Sequence, residues 1–175
     1  MLIEVKVQSL GLDRASNTPV VILQELTGER VLPIWIGPGE ASSIAMRLAD
    51  MKFARPLTHD LLVDVMRGMG GALQKVIISR VEESTYFAEL IVRRNGEIIS
   101  VDARPSDSIA VALRMDARIF ADEGLLTEGS IEIAEEETLS EFEPEAADPS
   151  SGMRPEELKE YLRRLNPEDF GRFTP

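Results

Sequence analysis

The sequence predicts an α+β fold: a duplicated β-β-β-α unit whose strands form a mainly antiparallel, mixed sheet packed by helices. Three observations carry this expectation. Two sets of three strand-like runs are each followed by a helix-like run. Those helix-like runs share letters, with Ser43, Ile44 and Ala45 echoed by Ser108, Ile109 and Ala110, 65 residues later. The turns "TGERV" (27–31) and "NGEII" (95–99) each lead into the third strand of a set.

"LIEVKVQSL" (2–10) alternates apolar and polar residues, as a half-buried strand does. "PVVILQEL" (19–26) and "VLPIWIG" (31–37) flank Thr27 and Gly28, which reads as a hairpin. Pro33 removes a ladder donor from the second of these runs, so that strand belongs at an edge or bulge. In "GEASSIAMRLADM" (39–51), Ala41, Ile44, Ala45 and Leu48 recur at helical spacing. A second helix is expected from Thr58, taken as its N-cap, to the glycines of "RGMGG" (67–71). Then follow "LQKVIISRVEE" (73–83), "TYFAELIVRR" (85–94) and "GEIISVDAR" (96–104), with Asn95-Gly96 as a strong hairpin signal. Ser106 is expected to cap a helix over "DSIAVALRMD" (107–116). "ARIFA" (117–121) reads as a short strand or extension, and "EGLL" (123–126) as one helical turn.

The expected folded domain is 1–133. Residues 134–153, with "EEETLSEFEPEAADPSSGM" (135–153), read as an acidic solvated linker. Residues 154–175 read as an amphipathic helical segment in which Leu158, Tyr161, Leu162 and Leu165 form an apolar stripe. So short a helix needs a surface to dock on: the main domain, a partner subunit or another protein. Net charge is −12 and uneven. Residues 1–130 carry 18 acids and 14 bases, a net of −4; residues 131–175 carry 13 acids and 5 bases, a net of −8. Such a balance disfavours polyanions unless a local basic surface or a bound cation offsets it. The chain has no cysteine, which excludes thiolate chemistry and suits a cytoplasmic location. Neither a signal peptide nor an apolar run long enough to span a membrane is read.

Three junctions can carry chemistry, and each also has a plain structural reading. "WIGPGEA" (35–41) places Glu40 at a helix start, as a base or metal ligand, or as an acid that complements the helix dipole. "RPLTHDLL" (55–62) holds Arg55, His59 and Asp60. His59, the single histidine, suits proton transfer and Arg55 suits phosphate, while the plain reading is a shaped loop with a hydrogen-bonded ring. "DARPSDS" (102–108) sets Asp102, Arg104 and Asp107 around a strand-to-helix corner. Two carboxylates beside an arginine suit Mg²⁺ or Mn²⁺ and a phosphate, or else form an Asp–Arg pair that fixes the loop. Duplication would let Glu40 and Asp107 share a cleft. Arg93, Arg94, Arg114 and Arg118 read as solvated or surface-paired, and Met46, Met51, Met66 and Met69 as core filler.

"LPIWIGPGEASSIA" (32–45), "RPLTHDLL", "YFAELIV" (86–92) and "DARPSDSIAVALR" (102–114) resemble, in order and spacing, the bifunctional nuclease family of bacteria and plants over about residues 1–133. "ELKEYLRRLNPEDF" (157–170) is similar to the C-terminal segment of actinobacterial members. The resemblance implies a duplicated strand–helix fold, homo-oligomers (a dimer favoured), and hydrolysis of DNA and RNA with little sequence preference. Carried onto this chain, it implies Glu40, His59, Asp60 and Asp107 as catalytic residues, and Arg55 and Arg104 as substrate-binding ones. Asp102 and Asp107 are the expected metal ligands. The alternative is a non-enzymatic regulatory or scaffold protein that recruits a partner through residues 154–175.

Overall fold

In the computed structural model, which describes residues 1–13 and 16–128, seven strands form one sheet of order β3-β2-β1-β7-β4-β5-β6. The first meander comprises β1 (Leu2–Leu12), β2 (Pro19–Glu25) and β3 (Val31–Trp35). The second comprises β4 (Gly71–Glu82), β5 (Thr85–Arg94) and β6 (Glu97–Ala103). Every pairing inside a meander is antiparallel. Strand β7 (Arg118–Asp122) fills the seam, antiparallel to β1 and parallel to β4. The sheet is therefore mixed, and with its helices the fold is α+β. Pro33 lies opposite Ile22 on edge strand β3, where its missing N–H breaks no inner ladder. Asn95 and Gly96 both take positive φ, 53° and 85°, as a tight hairpin turn requires. Glu83 and Ser84 do the same at the β4–β5 turn, φ 47° and 62°, although neither residue type favours that region.

Helices α1 (Pro38–Leu48), α2 (Thr58–Gly68) and α3 (Pro105–Met115) pack on the sheet face that carries Val5, Val21, Leu23, Val76 and Ile78. Helix α3 is the most buried of them. Its Ser108, Ile109, Ala110, Val111 and Ala112 are all sealed, and small side chains there let α1 and α2 approach closely. Ile109 is fully buried, so Ile109→Ala costs about 2–5 kcal/mol. The chain "EGL" forms a 3-10 turn over Glu123–Leu125.

Three expectations about helix starts need correction. Thr58 is not the N-cap of α2; Leu57 is, and the Asp60 carboxylate reaches back to accept its backbone N–H at 2.9 Å. An acid at the third helical position supplies this bond, so a hydroxyl at the cap is not needed. Likewise α3 begins at Pro105 with Arg104 at its N-cap, and Ser106 is buried within the first turn. Proline suits the first helical position because its missing donor is unpaired there anyway. Because α1 also begins with proline, the two helix starts correspond at a spacing of 67, from Pro38 to Pro105, not at the 65 suggested by the shared letters. That register sets Glu40 against Asp107.

Of the four methionines read as core filler, Met51 and Met69 are exposed instead. Among the described residues, no helix is long and apolar enough to cross a membrane. The expected linker 134–153 and segment 154–175 lie outside the described residues.

Candidate active site at the helix starts

The start of each helix delivers one acid to the same surface. Glu40 stands in the first turn of α1, Asp60 in that of α2 and Asp107 in that of α3, each where a carboxylate is favoured by unpaired backbone donors. The guanidinium of Arg104 joins two of them. Its Nη1 lies 2.8 Å from Glu40 Oε1, while Nε and Nη2 donate to Asp107 Oδ2 and Oδ1 at 2.8 and 3.1 Å. His59 enters from α2: Nε2 is 3.1 Å from Asp107 Oδ1, and Nδ1 is 2.8 Å from Ser43 Oγ on α1. Arg114, from the last turn of α3, donates to Asp60 Oδ1 at 2.6 Å, to Ser43 Oγ at 3.2 Å and to the carbonyls of Ala110 and Ser43. One continuous polar chain thus runs Glu40–Arg104–Asp107–His59–Ser43–Arg114–Asp60 across three helices.

The electrostatics follow from these contacts. The hydrogen bond from His59 holds the Asp107 carboxyl down at about 2, against the upward push of burial and with help from Arg104. Burial would raise the Asp60 carboxyl, but the Leu57 N–H and Arg114 outweigh it and lower it. Arg104 is pushed up by its bond to Asp107, opposed by burial and aided by Glu40. The side chains of Glu40, His59 and Asp107 stay 22%, 15% and 29% exposed, and Arg104 is 59% exposed. The cluster therefore meets solvent, with Arg104 outermost.

The structure brings together Glu40, His59, Asp60, Asp107 and Arg104. It does not bring in Arg55, which is exposed on the loop before α2 and forms no ion pair with the described residues. Asp102 is exposed on β6, opposite Glu89. Its neighbourhood does not fit a divalent ion shared with Asp107, whose two oxygens already accept from Arg104 and His59. Among the described residues, no three or more His, Asp or Glu side chains are grouped to hold a metal. A surface hollow lined by Glu82, Glu83, Thr85 and Phe87, at the β4–β5 turn, contains none of the cluster. Two members escaped the sequence reading. Arg114 was expected at the surface, yet its side chain is 7% exposed. Ser43 was seen only as a repeat letter; the clue was a serine one turn beyond Glu40, on the side of α1 that faces α2.

Fold and cluster together define a twin-meander α+β domain that gathers an imidazole, carboxylates and guanidinium groups where helices begin. The family model described as the bifunctional nuclease domain matches residues 21–134, and the chain belongs to that family. An uncharacterized protein of Mycobacterium tuberculosis (strain H37Rv) is 39% identical over 167 residues, covering 95% of this chain and 97% of the relative. "Bifunctional nuclease 1" of Oryza sativa subsp. japonica is 27% identical over 105 residues, 58% of this chain and 32% of the relative. "Bifunctional nuclease 2" of Arabidopsis thaliana is 25% identical over 133 residues, 74% of this chain and 40% of the relative.

Proposed function

We propose that this protein hydrolyses phosphodiester bonds of DNA and RNA with little sequence preference. The observation that carries the reading is the convergence of Glu40, His59 and Asp107 with Arg104 on one partly exposed surface. Phosphodiester cleavage needs a proton acceptor, a proton donor and positive charge near the phosphoryl oxygens. His59 supplies the proton-transfer group and Asp107 orients its ring. Glu40 fixes Arg104, whose exposed guanidinium retains N–H groups for a phosphate. The exposed Arg104 is the cation of the cluster that an approaching phosphate meets, because contact depends on the nearest charges. Asp60 serves the site indirectly, by holding Arg114.

The names of the plant relatives support the same reading. The test is cleavage of labelled DNA and RNA by highly purified protein beside Glu40→Ala and His59→Ala. Both variants are expected to fold and to lose cleavage. Equal cleavage by all three would assign the activity to a contaminant and end the proposal.

We also infer self-association, a dimer being favoured. Leu61 and Val65 on α2 and Met69 at its C-cap recur at four-residue spacing and are all exposed, leaving an apolar stripe that a second copy would cover.

A further inference from the structure

We propose that Ser43 is the nucleophile of this site, and that cleavage passes through a covalent phosphoryl-Ser43 intermediate. The inference rests on the nuclease reading for its substrate, but its geometry stands apart from it. Both ring nitrogens of His59 are engaged within the protein, Nε2 by Asp107 and Nδ1 by Ser43. A ring so held has no free nitrogen for a water molecule. The group whose proton it can take without reorganising is the Ser43 hydroxyl.

The direction of the bonds follows from the acceptors. Asp107 is ionised and can only accept, so Nε2 carries the hydrogen that points at it. In the neutral ring Nδ1 is then the acceptor, and the 2.8 Å contact is Ser43 Oγ–H donating to it. Hydroxyl, imidazole and carboxylate stand in the order that activates serine in unrelated hydrolases, a constellation recognised by geometry and role. Here the two ring nitrogens exchange places relative to that template, which leaves the relay intact.

Two further observations separate Ser43 from a merely structural serine. A serine inside a helix commonly returns its hydroxyl to the carbonyl four residues back. Its neighbour Ser42 does this, donating to Pro38 O at 2.9 Å, whereas Ser43 turns out of α1 to His59. In addition, Arg114 Nη2 lies 3.2 Å from Ser43 Oγ and stabilises negative charge developing on it. Ser43 itself is half-buried, not sealed.

The chemistry balances without a further reactant. Ser43 Oγ attacks phosphorus as its proton passes to His59 Nδ1. The Oγ–P bond forms and, on the opposite side of phosphorus, the P–O bond to the leaving sugar oxygen breaks, that oxygen taking a proton from solvent. Water then attacks phosphorus from the side the sugar left and releases its proton to solvent; the Oγ–P bond breaks and His59 returns its proton to Ser43 Oγ.

The experiment exposes the full chain to diisopropyl fluorophosphate, which transfers its phosphoryl group to an activated serine with loss of fluoride. Adducts are located by peptide mass mapping in wild type, Ser43→Ala and His59→Ala, and oligonucleotide cleavage is measured in parallel. The expected result is an adduct on Ser43 of the wild type, none in Ser43→Ala, and labelling about 100-fold slower in His59→Ala. Wild type that remains unlabelled at Ser43, or labelling indifferent to His59→Ala, overturns the proposal whatever the variants' folding. Labelled protein that cuts no nucleic acid would retain the nucleophile and remove the nuclease reading. Cleavage without any Ser43 adduct would do the reverse.

Discussion

Replacing Asp107 by asparagine tests the hub of the cluster through stability alone. The substitution keeps the shape and removes the charge that accepts from His59 and Arg104. In the folded chain this carboxyl sits at about 2, against an ordinary value of 3.8. A gap of nearly two units is worth about 2.5 kcal/mol at most. Arg104 is 59% exposed, and an ion pair so open to water contributes under about 1 kcal/mol. A loss of about 1–2 kcal/mol at pH 7 is therefore expected. Its pH dependence has a definite sign. Because the folded value lies below the unfolded one, the carboxylate's contribution is complete above about pH 5 and fades as pH falls toward 2, with about half gone at pH 3. Urea unfolding of wild type and Asp107→Asn at pH 7, 5, 4 and 3 measures it. Equal stabilities at pH 7, or a difference that is the same at pH 7 and pH 3, would refute the reasoning.

Three more outcomes are expected. Arg114→Met leaves Asp60 Oδ1 and the Ser43 carbonyl without the guanidinium, while Asp60 keeps the Leu57 N–H and meets solvent, so the cost is about 2 kcal/mol in the same urea assay; a cost below about 0.5 kcal/mol would mean that water replaces the guanidinium. Ser108→Ala removes a fully buried hydroxyl that has no hydrogen-bond partner among the described residues, so thermal stability should hold or rise by about 1 kcal/mol, whereas a clear loss would reveal a partner. Val65→Glu sets a charge in the exposed stripe of α2 and should leave the fold intact while yielding monomers in analytical ultracentrifugation; association unchanged from wild type would place the interface elsewhere.

Local chemistry was legible in the sequence wherever one residue type decides one geometry. Pro33 announced an edge strand, Asn95-Gly96 a tight hairpin, and alternation along residues 2–10 a half-buried strand. What was not legible depends on partners distant in the chain. Nothing in "ARIFA" says that it will part the two meanders and pair with β1 and β4 at once, since its partners lie more than 100 positions away in β1 and about 40 away in β4. The shared "SIA" letters gave the wrong register because composition follows burial, whereas the helix starts are set by Pro38 and Pro105. Thr58 and Ser106 look like caps, yet a carboxylate reaching back and a proline at the first position had already made hydroxyl caps unnecessary.

The candidate site divides the same way. Acids at helix starts and a solitary histidine were visible as residue types with free backbone donors beside them. Arg114 was hidden, because a basic residue in the last turn of a helix reads as a complement to the dipole. Its burial appears only when α1 and α2 close over α3. Ser43 was hidden by abundance, being one of three small residues in a row.

A single cluster serving both kinds of nucleic acid is the claim that matters most. It is tested most directly by measuring DNA and RNA cleavage in the same purified samples of wild type and His59→Asn. The account predicts that both activities fall together, by about 100-fold or more. Loss of one with retention of the other, or retention of both, would contradict it.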